Sequence, residues 1–321
     1  MMAKDFNTLH YDIVQMLKGQ HNEADGHREL HTDTAKKIVT LAKNVATHTL
    51  DMVYEKPRSV KDGNDRSIRM SELGEPCHRK LIFKWYTPQM GMPPYSEAPE
   101  PFLPVKFTFG DYIEELTLFL ASEAGHKVHS RQEELKLMPA LTTDWYALGH
   151  IDAVIDDTVV DVKSAADVSF NKYKREGLTE ETDTFGYLWQ LDAYAVARST
   201  DKRAFIFTNK HDGNIHIIDR TGVPLLPVVA MIAQIGSASD DYGSSGVLPD
   251  RMPVKATKYG SQLNTVCSYC NFKWACYSGD IEGVIKSGRP AYFVKSTLTP
   301  EGHKFVRENT TITPPKAYLP F

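Results

Sequence analysis

Two aspartates and a lysine stand close together in the stretch from Gly149 to Ser164, which reads GHIDAVIDDTVVDVKS. Asp152, Asp161 and Lys163 are the residues of this stretch that could do chemistry. Carboxylates are ligands for a hard divalent cation such as Mg²⁺, and a lysine beside them can face a bound water or a phosphate. The same residues could instead form solvated cross-strand pairs on a surface hairpin. Buried together they would be costly without a cation, so burial would favour a metal-dependent hydrolytic site.

Two β-strands joined by a tight turn must position these side chains. Apolar residues alternate along both halves of the stretch, and Asp156-Asp157 between them predicts the turn. Because successive side chains of a strand point to opposite faces, Asp161 and Lys163 share the face opposite the neighbouring valines. Pairing of the two strands would bring Asp152 beside Asp161.

Two flanking segments offer further polar side chains. A helix from about 110 to 123 carries Glu114 and Glu115, which helical geometry points roughly 100° apart, so that one can face the core and the other solvent. The segment 185–199 predicts a second helix, on which Gln190 and Tyr194 are four residues apart and share one face. Taken alone, each pattern is also typical of a solvated helix surface.

The order of these residues resembles the PD-(D/E)XK nucleases, and within them the RecB-like branch. In that branch a helix that begins after a glycine carries a His or Glu four positions later, followed by an Asp, an acidic residue-x-Lys tripeptide and a Q-x-x-x-Y helix. The matching residues here are Gly110, Glu114, Asp152, Asp161, Lys163, Gln190 and Tyr194. Asp161 stands where many relatives carry Glu, which changes the reach to a metal but not the expected chemistry.

The resemblance implies an α/β (α+β) fold, in which helices flank a restriction-endonuclease-like central mixed sheet. It also implies that Mg²⁺ or Mn²⁺ is bound by Glu114, Asp152, Asp161 and the carbonyl of Val162. Lys163 would orient the attacking water and stabilise negative charge on the scissile phosphate. Gln190 and Tyr194 would position the DNA backbone or the lysine.

The four cysteines suggest a second site. Cys267, Cys270 and Cys276 lie close together near the C-terminus, and Cys77 stands alone upstream. In a reducing compartment they are not expected to form disulfides. The arrangement resembles the iron–sulfur nucleases of the superfamily, among them AddB-type and four-cysteine CRISPR-associated exonucleases, in which one cysteine precedes the core and three follow it.

That resemblance implies a 4Fe–4S cluster held by all four cysteines. It would staple the helical N-terminal addition to the C-terminal segment across the core, closing a loop of roughly 190 residues at an entropic cost that grows only logarithmically. Zinc is an alternative, although structural zinc more often uses two close cysteine pairs. Four unrelated buried cysteines are another.

Composition limits the range of partners. Among 321 residues, 37 Lys and Arg stand against 41 Asp and Glu, which gives a net charge of −4. The chain therefore lacks the broad basic field of a protein that coats nucleic acid, although bound cations would reverse the charge of an acidic site locally. No segment has the apolar length of a membrane span. The sequence predicts a cytoplasmic protein without a membrane partner, in a bacterial host's cytoplasm if it is phage-encoded.

The interpretation divides the chain into four regions: a helical N-terminal region at 1–70, a cluster-cysteine segment and Pro-rich linker at 71–105, the nuclease core at 106–222, and a helical, cysteine-bearing C-terminal region at 223–321. Further expectations are a strand at 126–138, a mobile charged loop at 167–182, a hairpin formed by 203–209 and 215–219, and a helix at 224–235 followed by a Gly/Ser-rich break through Gly246.

The function predicted from these patterns is metal-dependent DNA exonuclease activity. Hydrolysis would start from free single-stranded or duplex DNA ends, in recombination, repair or degradation of DNA, with a recombination protein as a candidate second partner. Two alternatives remain open. One is a structure-specific endonuclease, and the other is a non-catalytic DNA-binding protein that retains the fold.

Overall fold

The computed structural model describes residues 4–22, 32–53, 66–86, 103–139 and 143–312. Most of the Pro-rich stretch and most of the polar segment that follows the N-terminal helices therefore lie outside the described residues. The chain forms two units. The first comprises Met1–Ser59, Arg66–Gly74 and Glu100–Gly236, and the second comprises Val60–Asp65, Glu75–Pro99 and Ser237–Phe321.

The described helices are α1 (Leu9–Asn22), α2 (Thr32–Val53), α3 (His78–Tyr86), α4 (Leu103–Glu123), α5 (Asp167–Glu176), α6 (Tyr187–Ala197), α7 (Val228–Ser245), α8 (Thr265–Ser268), α9 (Lys273–Cys276) and α10 (Pro300–Glu308). The described strands are β1 (Ser67–Arg69), β2 (Val128–His129), β3 (Glu134–Leu137), β4 (Tyr146–His150), β5 (Ala153–Ile155), β6 (Thr158–Ala165), β7 (Arg203–Asn209), β8 (Ile215–Asp219), β9 (Lys255–Thr257), β10 (Gly260–Gln262), β11 (Ile281–Lys286), β12 (Arg289–Val294) and β13 (Thr311–Ile312).

A mixed five-stranded sheet in the order β2-β5-β6-β7-β8 forms the centre of the first unit. β5 and β6 are antiparallel, with Ala153 opposite Val160, whereas β6 and β7 are parallel, with Asp161 opposite Phe205. A second sheet has three strands in the order β1-β4-β3. The expected mixed α/β class is therefore confirmed.

Helices cover both faces of the five-stranded sheet. On one face, Val160 and Val162 of β6 belong to a core cluster with Leu118 and Ala121 of α4 and Leu9 of α1. On the other, aromatic rings of α5 and α6 pack on β7: Tyr173 against Phe207, and Tyr187 against Phe205. Each fully buried large side chain contributes about 1.5–3 kcal/mol, so β6 is held firmly between the helix layers.

The predicted tight turn of the central hairpin is confirmed. Asp156 and Asp157 join β5 to β6, and both adopt left-handed backbone, with φ of 46° and 66°. A two-residue turn with positive φ at both positions matches the twist of paired strands, and Asp tolerates that region better than most residues. The buried side chain of His126 contacts the Asp156 carboxylate and fixes the turn further.

Three other predictions in the first unit are met in part or in full. The hairpin of 203–209 and 215–219 has those bounds, and the helix predicted at 185–199 is α6. The strand expected at 126–138 is instead two short strands in different sheets. Ser130 and Gln132 between them have φ of 51° and 52°, and such left-handed residues break an extended strand.

Helix α4 begins at Leu103 and not at about 110. Pro104 lies in its first turn, where the missing N–H of proline costs nothing. Leu118 and Ala121 are buried on its core side, whereas Leu116 is 47% exposed.

The segment expected to be a mobile loop at 167–182 begins with helix α5. Phe170 and Tyr173, three residues apart, bury one side of it, and Gly177 with φ of 73° follows its last residue. Asp167 in the first turn and Arg175 in the last complement the helix dipole. High charge therefore marks the solvated face of a helix here.

Helix α7 runs through the predicted Gly/Ser-rich break. A Cβ on Gly236 would lie 2.7 Å from the Trp145 ring, and one on Gly243 would lie 2.7 Å from the hydroxyl oxygen of Tyr86. These glycines permit close packing against aromatic side chains. Their presence in the sequence was wrongly taken as a helix stop.

The second unit contains an antiparallel five-stranded sheet in the order β13-β11-β12-β10-β9. The description of 223–321 as a helical, cysteine-bearing region therefore omitted this sheet, which lies among helices α7 to α10 in the chain. Phe293 and Val284 form part of its buried core, against which Tyr259 and Phe305 pack. Across the part of the chain that the structure describes, no helix combines the length and the apolar character that crossing a membrane requires.

Candidate metal-dependent active site and four-cysteine cavity

Asp161 is the most deeply buried of the predicted site residues, with 0% exposure in the middle of β6. Nζ of Lys163, two residues along the strand, donates a hydrogen bond to Oδ1 at 2.9 Å and lies 2.8 Å from Oδ2. Apart from this ion pair with the Lys163 ammonium, Oδ2 accepts no hydrogen bond from any described residue. A buried carboxylate oxygen with this free capacity is suited to coordinating a cation.

Asp152 lies where the chain passes from β4 to β5. β5 begins at Ala153, which pairs with Val160 of β6. The backbone N–H of Val162 lies two residues further along β6, beyond the part that pairs with β5. That N–H donates instead to Oδ2 of Asp152 at 2.6 Å. The bond places the carboxylate against β6 and confirms the expected approach of Asp152 to the Asp161–Lys163 segment.

Glu114 of α4 joins the two aspartates. Nε2 of Gln132 donates to its Oε1 at 2.8 Å. Burial raises the pKa of Glu114 to about 7, and the negative charges of Glu115 and Asp161 add to the rise against the effect of the Gln132 hydrogen bond. One of Glu114 and Glu115 was expected to face solvent. Glu115 is instead 4% exposed and forms an ion pair with Arg131 at 2.5 Å.

The three acids destabilise one another's charged forms. Burial, followed by the charges of Asp161 and Glu114, raises the pKa of Asp152 well above its usual range. Burial also raises the pKa of Asp161, against the opposing charge of Lys163. Burial alone would lower the pKa of Lys163, but the two aspartates raise it further than burial lowers it. When all three carboxylates are ionised, they and one ammonium leave an excess of negative charge that matches one divalent cation.

The predicted Gln190–Tyr194 pair lies beside the same site. Nε2 of Gln190 donates to Oη of Tyr194 at 2.8 Å. Burial raises the pKa of Tyr194, and the charges of Asp161 and Asp152 contribute to the rise. Gly149 permits the approach, because a Cβ there would lie 2.7 Å from the Tyr194 ring.

Sequence reasoning missed Tyr187 and Gln132. Nζ of Lys163 lies 5.0 Å from the centre of the Tyr187 ring, and burial raises the pKa of this tyrosine to about 12. One signal was available, because Tyr187 is three residues before Gln190 on α6 and so shares its face. Gln132 lies in the left-handed segment between β2 and β3, and no local pattern in the sequence predicts its contact with Glu114.

We expect the metal-free protein to lose stability as pH rises from about 4.5 to about 7. In this window an unfolded chain has released the Glu114 proton, whereas the folded site, with the pKa of Glu114 raised to about 7, still holds it. Stability falls with pH wherever the folded state binds more protons. Unfolding midpoints of chelator-treated protein across this range should therefore fall for wild type and fall less for Glu114→Gln.

The exposed Glu134 provides the matched control. Glu134→Gln should follow wild type over the same pH range, and saturating Mg²⁺ should flatten the wild-type curve. Parallel pH curves for Glu114→Gln and wild type would contradict a raised pKa at Glu114.

The four cysteines line one cavity in the second unit. Cys77 immediately precedes α3, Cys267 lies in α8, Cys270 in the turn after it and Cys276 at the end of α9. The cavity has about 370 Å³ of empty space, part of it open to solvent. All four cysteines are free thiols. The cavity therefore joins two segments of one unit and not, as the sequence suggested, the N-terminal helices to the C-terminal segment.

The thiols lie close enough to influence one another. Burial raises the pKa of Cys267 to about 12, and the charges of the other three cysteines contribute. Burial likewise raises the pKa of Cys77 and of Cys270. The backbone N–H of Phe272 donates to Sγ of Cys270 at 3.4 Å. Such N–H···S bonds are among the features that tune cysteine-ligated iron–sulfur clusters.

Within the described ranges, no three His, Cys, Asp or Glu side chains are grouped as a single metal ion would require. The donor types still fit the two expected groups. Carboxylates are the ligands of Mg²⁺ and Mn²⁺, and the buried Oδ2 of Asp161 has coordinating capacity to spare. Four thiols around one cavity fit a cluster, which takes its ligands at separate corners and holds them farther apart than a single ion does.

No family model and no curated protein matches this chain. A solved structure described as "Crystal structure of SSO0001" is similar to it, with 17% sequence identity and a TM-score of 0.40 over 76% of this chain and 95% of that chain. A likeness at this level carries no argument about fold family or function.

Proposed function

We propose that this chain is a Mg²⁺- or Mn²⁺-dependent deoxyribonuclease of the PD-(D/E)XK type, with a restriction-endonuclease-like core of the RecB-like branch. One observation carries the proposal. Asp152, just before β5, converges with Asp161 and Lys163 of β6. Apart from its ion pair with Lys163, the buried Oδ2 of Asp161 accepts no hydrogen bond from a described residue. A surface hairpin with solvated charges would show none of this burial.

The metal would be held by Glu114, Asp152, Asp161 and the carbonyl of Val162. When bound, the ion lowers the pKa of a water ligand and offsets the negative charge of the scissile phosphate. Asp152 is oriented for this task by the Val162 N–H. Glu114 is oriented by Gln132.

Lys163 stabilises charge and is not a general base. The charges of Asp161 and Asp152 raise its pKa, so the ammonium stays protonated at neutral pH. Asp161 and the Tyr187 ring fix its position. From there it can donate hydrogen bonds to the attacking water and to the phosphate as negative charge develops, which is the contribution that lowers the barrier.

Gln190 and Tyr194 support this arrangement from α6. Burial raises the pKa of Tyr194, so its hydroxyl remains protonated while it accepts the hydrogen bond from Gln190. The hydroxyl can donate to a DNA phosphate or to a carboxylate of the site. Both residues are proposed to hold the DNA backbone beside Lys163.

We assign Cys77, Cys267, Cys270 and Cys276 as ligands of a 4Fe–4S cluster with a structural role. The cluster would join the segment that carries α3 to the segment that carries α8 and α9, within the second unit. A role in recombination, repair or degradation of DNA, and a phage origin, follow from the resemblance to iron–sulfur nucleases.

The direct test uses purified protein and end-labelled single-stranded and duplex DNA. Cleavage is expected with Mg²⁺ or Mn²⁺ and is expected to cease with a chelator. Metal-dependent DNA binding without cleavage would instead support the non-catalytic alternative, which the retention of both aspartates together with Lys163 argues against.

The exonuclease assignment predicts that closed circular DNA survives while linear DNA is degraded. The resemblance is to enzymes that act on free strands, and the net charge of −4 provides no broad basic surface for gripping closed duplex along its length. Supercoiled circles and linear fragments should be incubated side by side with Mn²⁺ at low salt. Linearisation of the circles as fast as the linear DNA is lost would favour a structure-specific endonuclease.

A further inference from the structure

A tyrosine that lines the four-cysteine cavity has a buried hydroxyl without a hydrogen-bond partner among the described residues. Tyr277 follows Cys276 and is 5% exposed. Its Oη is shielded from solvent and bonds to no described residue. Burying a hydroxyl in this way costs about 1–3 kcal/mol. Since Tyr277 lines the cavity, a group held within the cavity would satisfy it.

The Tyr277 ring is held firmly in place. The Arg251 guanidinium lies 4.8 Å from the ring centre, and Nε of Arg251 donates to the carbonyl of Cys276 at 3.0 Å. A single arginine thus fixes both the ring and the backbone of the neighbouring cysteine. The hydroxyl therefore cannot turn to solvent without breaking these contacts.

A second buried donor belongs to the same cavity. Arg79 of α3 also lines it, and its Nη1 donates to the carbonyl of Pro249 at 2.8 Å. Its Nε is buried and has no partner in the described part of the chain. Arginine is only a donor, and a phenol with its usual pKa of about 10 is a donor at neutral pH.

Two unmet donors indicate that the cavity holds a group rich in acceptors. Thiol sulfurs are weak acceptors, whereas the thiolates and inorganic sulfides of an iron–sulfur cluster carry negative charge. Hydrogen bonds to such sulfurs are stronger when the cluster is reduced, because reduction adds negative charge. They therefore favour the reduced state and raise the reduction potential.

We propose that the Tyr277 hydroxyl donates a hydrogen bond to a sulfur of the iron–sulfur cluster and raises its reduction potential, with Arg79 as a second donor. The inference rests on the cluster assigned under the proposed function. Tyr277 acts on the cluster and takes no part in DNA hydrolysis.

The test compares Tyr277→Phe with Tyr269→Phe in anaerobically purified, iron-replete full-length protein. Tyr269 is a matched control because it adjoins Cys270 but is 63% exposed. Both variants should carry as much iron and labile sulfide as wild type. In redox titrations followed by electron paramagnetic resonance, Tyr277→Phe should shift the midpoint potential to a more negative value, and Tyr269→Phe should leave it unchanged.

An unchanged potential in fully loaded Tyr277→Phe would overturn the inference and leave the cluster assignment standing. Absence of iron and sulfide from wild-type protein would overturn both. Site-specific 3-fluorotyrosine at position 277 gives a readout if Tyr277→Phe does not fold. The more acidic phenol is a stronger donor and should shift the potential to a more positive value, so no shift or a negative one would also overturn the inference.

Discussion

Lys163→Met should reduce DNA cleavage by on the order of 10²–10³-fold or more, which is the typical effect of removing a preorganised donor to a developing negative charge. Methionine keeps much of the side-chain length and the packing against Tyr187, but cannot donate a hydrogen bond. The Lys163 ammonium is held 2.8–2.9 Å from the Asp161 carboxylate. From there it would meet the additional negative charge that develops on the scissile phosphate only in the transition state. The loss should therefore appear in kcat more than in KM.

Asp161→Asn should have at least as large an effect on cleavage, because it removes the buried carboxylate whose Oδ2 is free to coordinate a cation. Unlike Lys163→Met, it should also weaken metal binding, so that raising the Mn²⁺ concentration restores part of the activity. Single-turnover cleavage rates across a range of Mn²⁺ concentrations separate the two variants.

The structure also predicts an effect of Lys163→Met on stability. Lys163 is the ion-pair partner of a fully buried carboxylate, and removal of one partner from a buried pair is strongly destabilising. Metal-free Lys163→Met should therefore be less stable than wild type, and Mg²⁺ should restore much of the difference.

Lys136→Met is the matched control for Lys163→Met. Lys136 also lies on a strand of the first unit with its ammonium over a tyrosine ring, 4.0 Å from the centre of Tyr146, but it is exposed. This variant should cleave at the wild-type rate. DNA binding measured with Ca²⁺ in place of Mg²⁺ should be similar for all three proteins. Wild-type cleavage by Lys163→Met with the metal still required would refute the site assignment.

The sequence predicted elements that are specified by neighbouring residues. The turn at Asp156-Asp157 and the hairpin of 203–209 and 215–219 have local signals, since turn residues separate alternating runs. The sharing of a face by Asp161 and Lys163 follows from strand periodicity alone. The approach of Asp152 to β6 was also expected, but the bond that fixes it depends on where β5 ends, which periodicity does not determine.

The failures involve contacts between residues distant in the chain. Gly236 and Gly243 look like helix breakers until Trp145 and Tyr86 are seen against them. In the second unit, β11 pairs with β13 across more than twenty intervening residues, and several of its strands have only two or three residues. Strands this short show no periodicity that could be distinguished from a loop.

The grouping of the four cysteines was predicted from their number and spacing, and they do line one cavity, but the segments they connect were misjudged. The long separation between Cys77 and Cys267 suggested a clamp across the nuclease core. Both cysteines belong to the second unit, Cys77 in its Glu75–Pro99 part and Cys267 in its Ser237–Phe321 part. A group bound to all four thiols would hold those two parts together, and its removal should therefore affect that unit most.

Cys270→Ala is expected to remove the cluster and to lower the free energy of unfolding by on the order of 4 kcal/mol or more, as loss of a bound metal group typically does. Anaerobically purified wild-type protein should be brown and contain about four iron and four sulfide per chain, whereas the variant should be colourless. Ser268→Ala is the control, because Ser268 is buried two residues away and its hydroxyl donates a long 3.4 Å bond to the carbonyl of Leu263. It should keep the colour and lose about 1 kcal/mol or less.

Stoichiometric zinc without iron in protein prepared under iron-replete, anaerobic conditions would refute the cluster. Equal stability of Cys270→Ala and Ser268→Ala would refute its structural role. Because the ligand would join the Cys77 segment to the C-terminal one, hydrogen exchange in Cys270→Ala should rise first in α3, α8 and α9 and least in β6, where the candidate active site lies in the other unit.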